Sequence, residues 1–468
     1  GDIFFEQVVT KIDNAEKYIL SGDVESIIDS SLKNNYQLID TNFLKKNQNF
    51  YGSKKNEKFN FDEDNIKFLE NKFYLFLQCI DRIFIKKKST RFYKNYYYNL
   101  LIFLREKFIE NSIKKVVFDS SPHTPYDVAL YLIAKILSCE IFIIKSTKIH
   151  NHIIFYDQVE VYEKNIIKIN DVNESISAAT INKLISNNIV PEDIKAKDIN
   201  SQKPISPKSN FLRWLKGKFF FVVNLNFFKK KYYSSYSLNL YDTISLLISR
   251  EFQRLKMLKW LKKNSYTPYN DENYVLYYLH YQPERSTDPE SGIFSNQYLA
   301  IKLISENLPS NFYLYVREHP RQLNDNQPDI RKLNFRCDKD YEAISSLEKV
   351  KIINPNYDSE RLYEKAKLVS SLQGSSIWIS LLKGKAGFTL QPTWHSKCNS
   401  SPYLNRKNIS ENIKFLLKKT KDQIKIDLEN FVDYISPYLL NTLYTGKFSE
   451  KDAKDEKLLE NLAKFIDK

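Results

Sequence analysis

Along residues 274–390, short apolar runs alternate with amphipathic stretches at the spacing of βα units. The runs at 274–281, 312–317, 350–353, 368–372 and 386–390 predict strands, and the stretches at 295–307, 341–347, 359–366 and 376–383 predict helices. An open parallel sheet covered by helices accounts for that order. Ligands of such sheets bind at the carboxyl ends of the strands, so each polar residue that directly follows a strand is a site candidate. A weaker upstream pattern, strand 115–119, helix 126–137 and strand 140–144, predicts a second α/β unit. Polarity rises from 163 to about 269, where Pro204 and Pro207 interrupt the pattern and basic and aromatic residues interleave from 212 to 233. The tail after Ser410 has helical character up to a Lys/Glu/Leu-rich segment ending near Ile466. No repeat of fixed period is present.

Length supports two large domains, because 468 residues exceed the roughly 250 to 300 at which one core stops growing. Hydrophobic residues at 42% and charged residues at 27% describe a globular chain rather than a disordered one. Lys+Arg 71 against Asp+Glu 56 leaves +15, which suits nucleic acid, an anionic membrane face or a phosphorylated small molecule. The abundance of Lys, Asn and Ile fits an AT-rich coding sequence, and this halves the weight of that charge. Cys79, Cys139, Cys337 and Cys398 form no CxxC pair, so neither a disulfide framework nor a cysteine zinc site is predicted, and a reducing, cytoplasmic setting is expected. No run of about 18 apolar residues appears. GxGxxG, GxxxxGK[ST], GxSxG and HExxH are all missing, which removes the dinucleotide, P-loop, α/β-hydrolase and zincin readings. His150 and His152 lack an acidic or Cys partner at ligand spacing, so no metal is expected.

Four constellations can carry chemistry. In Arg317-Glu318-His319-Pro320 the proline ends a strand and leaves His319 at the carboxyl edge, where its imidazole can donate to a phosphate; the alternative is a local turn hydrogen bond. Gln373-Gly374-Ser375-Ser376 joins a strand to a helix, and its exposed amides suit an anion as well as plain N-capping. In His280-Tyr281-Gln282-Pro283-Glu284, with Arg285 and Asp288, a carboxylate can serve as base or nucleophile, or can be a solvated loop group. Asp119-Ser120-Ser121-Pro122-His123-Thr124-Pro125-Tyr126-Asp127 follows the upstream strand, and helix capping competes there with a catalytic role for Asp119, His123 or Asp127. Trp394-His395 fits core and cleft equally.

Leu279-His280-Tyr281-Gln282-Pro283-Glu284, Gly292-Ile293-Phe294 with Gln297, Tyr315-Val316-Arg317-Glu318-His319-Pro320, Gly374-Ser375-Ser376-Ile377-Trp378 and Gly384-Lys385 together resemble bacterial capsule and lipopolysaccharide glycosyltransferases. More narrowly they resemble the capsule-synthesis group related to Kdo transferases, and the His-Pro and Ser-Ser pairs are similar to those of bacterial sialyltransferases and polysialyltransferases. The resemblance covers residues 274–397, with a fainter one over 117–157. It implies an α/β GT-B fold: two Rossmann-like domains facing a central cleft, with a C-terminal helix returning to the first. The implied domains are an acceptor domain at 1–165, a basic-aromatic connecting region at 166–270, a donor domain at 271–400 and helices at 401–468 that cross back. It implies transfer of a 2-keto sugar acid (Kdo, sialic, legionaminic or pseudaminic acid) from CMP to a glycan or glycolipid acceptor, without metal or other cofactor. By the same resemblance His319, Ser375 and Ser376 contact the CMP phosphate and ribose, and Arg317, Pro320, Gln282, Gln373 and Gly374 line that nucleotide site. Two departures stand out: Arg317-Glu318 precede His-Pro where the family usually has Lys, and Lys385-Ala386-Gly387 alter the usual turn.

Catalysis is then expected from Glu284 or Asp288, or from Asp119, His123 or Asp127. The enzyme is expected in the cytoplasm, peripheral on the inner membrane face through residues 212–233. Two other classes compete: a non-catalytic capsule assembly or export factor on the same fold, and a basic nucleic-acid-binding protein that uses 212–233 for stacking. No nucleic-acid module is recognisable, so no nucleic acid is expected.

Overall fold

The computed structural model describes residues 18–22, 36–40, 60–83, 88–149, 152–159, 166–168, 240–268, 271–323, 331–332, 335–373, 375–441 and 460. Contacts divide the chain into two compact units. The first comprises Gly1–Asp81, Lys86–Leu184 and Asp433–Lys468; the second comprises Arg82–Ile85 and Ile185–Val432.

In the first unit, β1 (Tyr18–Gly22) and β2 (Tyr36–Asp40) form a parallel pair. Helices α1 (Glu63–Ile83) and α2 (Thr90–Glu110) meet through aromatic rings, with Phe76 and Tyr97 at 4.9 Å between centroids, and the Tyr97 hydroxyl donates to the Leu69 carbonyl at 2.9 Å. Strand β3 (Lys115–Phe118), helix α3 (Pro125–Ile136) and strand β4 (Glu140–Ser146) make a parallel βαβ unit. Strands β5 (His152–Tyr156) and β11 (Leu440–Asn441) complete the sheet in the order β11-β5-β4-β3. Both run antiparallel to their neighbours, so the sheet of this α/β unit is mixed. The cause is the connection: five residues join β4 to β5, and a parallel crossover needs a dozen or more.

Beyond Arg82–Ile85, the first described element of the second unit is the 25-residue helix α4 (Leu240–Asn264). Its sheet is wholly parallel, ordered β10-β9-β6-β7-β8, with β6 (Tyr274–Tyr278) in the middle. The others are β7 (Tyr313–Arg317), β8 (Val350–Ile352), β9 (Leu368–Ser371) and β10 (Gly387–Thr389). Their near-continuous burial means that both faces of the sheet are covered, which is why they read as apolar runs rather than as alternations. One core cluster joins Tyr274, Leu276, Tyr315, Ile353, Leu362 and Ala366, with the Tyr274 and Tyr315 rings stacked at 4.0 Å.

Helix α5 (Gln297–Glu306) is capped by Asn296, and α7 (Ser359–Lys365) by Asp358, whose Oδ1 accepts from the Arg361 N–H at 2.6 Å. Helix α6 (Asp338–Ser345) follows β7, and α8 (Ser375–Leu382) follows β9. The Gly384-Lys385 pair has a structural use. Gly384 sits at φ +69° and ends α8, and the Lys385 ammonium donates to the carbonyls of Tyr363 (2.7 Å), Glu364 (2.9 Å) and Ala366 at the C-terminus of α7. At Gly387 a Cβ would lie 2.6 Å from the Val369 carbonyl, so this departure from the family turn is a close approach between β10 and β9.

Helices α9 (Ile409–Leu417) and α10 (Lys421–Ile435) follow, and the chain passes back into the first unit after Val432. The helical character expected after Ser410 holds through α9 and α10, and a 3-10 turn at Ser436–Tyr438, carrying Pro437, then stops α10 and leads into β11. Two α/β units in one chain, with the C-terminus rejoining the first sheet, are the organisation that the GT-B expectation requires.

Candidate functional site at the carboxyl edge of the parallel sheet

Three neighbouring strands deliver the candidate residues. β6 leads into 279–288, β7 on one side leads into Glu318 and His319, and β9 on the other leads into Gln373, Ser375 and Ser376. The loop after β6 is held by amide pairing beyond the ladder. The His280 N–H donates to Gln297 Oε1 at 2.8 Å, while Gln297 Nε2 donates back to the His280 carbonyl (3.3 Å) and to Gln282 Oε1 (3.2 Å).

Beneath this loop lies a buried ion pair. Arg336 Nη1 donates to both oxygens of Glu318 at 2.6 and 2.7 Å, with side-chain exposures of 4% and 0%. Arg336 Nη2 reaches Gln282 Oε1 (2.8 Å) and the His280 carbonyl (3.3 Å), and the Glu318 carboxylate also accepts from Tyr341 Oη (2.5 Å) and the His319 N–H (2.6 Å). Glu318 therefore anchors the loops after β6 and β7 together.

His319 is half-buried, and its Nδ1 accepts from the Arg321 N–H at 3.1 Å. The proton of the neutral ring then sits on Nε2, which is the donor the side chain can offer. Burial first, then the charges of His280, Arg321, Arg336 and Lys332, push its pKa down to about 3. His280 is uncharged and Arg336 is balanced by Glu318, so the positive charge beside His319 is that of Arg321 and Lys332. Lys332 lies 4.9 Å from the Tyr281 ring centre, and Tyr281 lies 5.8 Å from the His319 ring.

His280 links β6 to β9. Its Nε2 lies 2.7 Å from Ser371 Oγ and accepts from the Gln373 N–H at 3.3 Å; its Nδ1 lies 3.2 Å from Ser286 Oγ, which donates to Glu284 Oε2 at 3.2 Å. With Nε2 accepting, Nδ1 carries the proton, and a continuous path runs from His280 through Ser286 to Glu284. Burial and then Arg336 lower the His280 pKa to about 4, so the ring is neutral. Glu284 is exposed, as a group acting on a ligand needs to be.

The other expected residues separate into scaffold and site. Gln282 and Asp288 are buried, with Gln282 Nε2 donating to Asp288 Oδ2 at 3.5 Å and the Gln282 N–H donating to Gln322 Oε1 at 3.0 Å. Gln373 is buried and donates to the Glu290 carbonyl at 3.4 Å. Arg317 donates to the Tyr357 carbonyl at 3.1 Å in the β8–α7 loop, apart from the Glu318 network. Pro320 opens the helical turn Pro320–Leu323 that brings the Arg321 N–H to His319. Ser375 and Ser376 are half-buried in the first turn of α8, and Gly374 lies outside the described residues. His395 is core rather than cleft: its Nδ1 meets Ser401 Oγ at 2.9 Å beside the Trp378–Trp394 pair.

In the first unit, Thr124 and Asp127 form a capping box on α3, with Asp127 N–H to Thr124 Oγ1 at 3.3 Å and Thr124 N–H to Asp127 Oδ2 at 3.2 Å. Burial, aided by the charge of Asp119, raises the Asp127 carboxyl to about 6. His123 Nδ1 donates to the Ser121 carbonyl at 2.9 Å, which leaves Nε2 as the basic nitrogen, and Nδ1 lies 3.9 Å from Asp127 Oδ2. Asp119 is exposed and accepts from Ser120 Oγ at 3.0 Å. Residues 212–233 and His150 lie outside the described residues, and no cluster of three potential metal ligands occurs among the described ones.

Sequence reading passed over Arg336, Ser286, Ser371, Lys332 and the anchoring role of Glu318. Arg336 lies 56 positions from His280, so no local pattern could reveal it.

No family model matches the chain, and no curated protein matches it. Among solved structures it is similar to the UDP-GlcNAc 2-epimerase of Methanocaldococcus jannaschii, at 14% identity over 94% of this chain and 97% of that one, with a TM-score of 0.26. It is also similar to two Thermosulfurimonas dismutans KpsC structures. The beta Kdo 2,7 transferase matches at 10% identity over 86% and 97% of the chains (TM-score 0.28), and the beta Kdo 2,4 transferase at 12% over 75% and 86% (TM-score 0.26). Scores of that size lie below the level at which structural likeness carries a functional argument.

Proposed function

We propose that the protein is a glycosyltransferase that moves a 2-keto sugar acid from a CMP donor onto a glycan or glycolipid acceptor of capsule or lipopolysaccharide. The observation that carries this reading is His319: a neutral imidazole at the carboxyl edge of a parallel sheet, with its Nδ1 occupied and its Nε2 proton available, near the charges of Arg321 and Lys332. That group can donate a hydrogen bond to a phosphate oxygen without carrying a charge of its own. Ser375 and Ser376 stand two strands away and supply hydroxyls for the ribose or phosphate. Glu284 is the acid-base or nucleophile candidate of this unit, oriented through Ser286 by His280, while His123 Nε2 and Asp127 are the corresponding groups of the first. The reading includes a GT-B enzyme that works at the cytoplasmic membrane face and needs no metal.

The test is a thermal-shift panel, because a nucleotide that binds the native state alone raises the melting temperature by mass action. CMP is expected to stabilise more than UDP or GDP at equal concentration, with and without EDTA. Equal or greater stabilisation by UDP overturns the CMP assignment, and a shift abolished by EDTA overturns metal independence.

A further inference from the structure

Helix α4 turns an apolar row outward. Tyr241, Ile244, Ile248, Phe252 and Leu255 are all exposed, Tyr241 at 79% and Phe252 at 63%, and their spacings of three, four, four and three keep them on one side of an α-helix. The opposite side, with Leu247, Met257 and Leu261, is buried, and Trp260 stacks on Tyr341 at 5.6 Å. The exposed face continues into Lys259 and Lys262, flanked by Lys256 and Lys263, all exposed. None of the helix's exposed, described residues is acidic: Glu251 is buried and paired with Arg254 at 2.6 Å, and Asp242 is half-buried off the apolar row. The face is thus large apolar side chains over its first four turns and ammonium groups over its last two.

We propose that this face of α4 docks on an anionic lipid surface. The apolar row is matched by the acyl and headgroup boundary, and the lysines by anionic headgroups. A second copy of the chain fits worse: parallel pairing sets lysine against lysine, and antiparallel pairing sets the lysines against Tyr241 and Ile244. The proposal stands on this helix and does not depend on sugar transfer or on residues 212–233.

Flotation with vesicles of phosphatidylcholine alone, and of phosphatidylcholine with phosphatidylserine, tests it. The full chain is expected to float with the anionic vesicles and not with the neutral ones, and to be released by high salt. Each lysine near an anionic surface contributes about fivefold in partitioning, so the quadruple variant K256Q/K259Q/K262Q/K263Q should lose binding by two orders of magnitude or more. The pair Ile248→Ser and Phe252→Ser should lose it as well, with the wild-type melting temperature, because both side chains are exposed. Wild-type flotation by both variants places the membrane contact elsewhere and overturns the proposal. Equal binding to neutral vesicles overturns it, as does concentration-dependent dimerisation, without flotation, that the Ile248/Phe252 variant abolishes.

Discussion

Replacing Glu318 with Gln is the sharpest test of how the sheet edge is built. The substitution keeps the shape and removes the charge facing Arg336, whose guanidinium donates to both carboxylate oxygens in a site with 4% and 0% side-chain exposure. Removing one partner of a buried pair leaves an uncompensated charge and costs about 3 to 5 kcal/mol. For a unit of this size each kcal/mol lowers the melting temperature by about 2 to 4 °C, so a fall of roughly 6 to 20 °C is expected. Differential scanning calorimetry reads it directly, and the exposed pair Lys383–Glu360 provides the control, because Glu360→Gln removes a surface contact worth at most about 1 kcal/mol. Adding Arg336→Met to Glu318→Gln should recover part of the loss, since no buried charge then remains. A Glu318→Gln protein that melts within about 2 °C of wild type would refute the reasoning.

Three further outcomes are expected. His319→Ala removes a charge-assisted hydrogen bond worth roughly 1.5 to 3 kcal/mol, so CMP affinity by calorimetry should fall about ten- to a hundredfold, whereas Glu284→Gln should keep that affinity and cut turnover by about a hundredfold or more; retained turnover moves catalysis to Asp288 or to the first unit. The pKa values of His280 (about 4), His319 and His395 (about 3 each) are lowered mainly by burial, so below the ordinary 6.5 the unfolded chain binds more protons and stability falls as pH drops toward 4. At the steepest point the three contribute about 4 kcal/mol per pH unit, readable from urea midpoints by the fluorescence of Trp260, Trp378 and Trp394, and a midpoint unchanged between pH 7 and pH 5 contradicts it. Lys385→Met strips the ammonium from three carbonyls at the end of α7 and should lower stability by about 1 to 3 kcal/mol in urea; an unchanged midpoint would show those carbonyls to be solvated.

The second unit was legible because its strands are buried on both faces. Runs such as Val275-Leu276-Tyr277 and Val369-Ser370 between polar stretches leave few alternatives, and the Pro after His319 marks the strand end. Antiparallel β5 escaped notice because its partner β4 is apolar too, so direction was fixed by a five-residue connection rather than by composition. Within the site, the residues beside the strand ends were readable one loop at a time. What binds the loops to one another was not, since Gln297, Arg336 and Ser371 meet His280 from 17, 56 and 91 positions away. Gln282 and Asp288 read only as polar residues after a strand; their burial and mutual hydrogen bond come from the packing beneath the loop.

The central place of β6 sets a ruler across the edge. His319 follows one flanking strand and Ser375 the other, and those strands are two interstrand spacings apart, about 9 to 10 Å; on the proposed reading these are the two anchors of the donor. Inorganic phosphate is too small to touch both at once. A nucleoside monophosphate can, provided its base or ribose rests by one strand end and its phosphate by the other. Cytidine and phosphate supplied separately would each hold a single anchor and forfeit the gain that comes from joining two contacts in one molecule, so together they should fall far short of CMP at equal concentration.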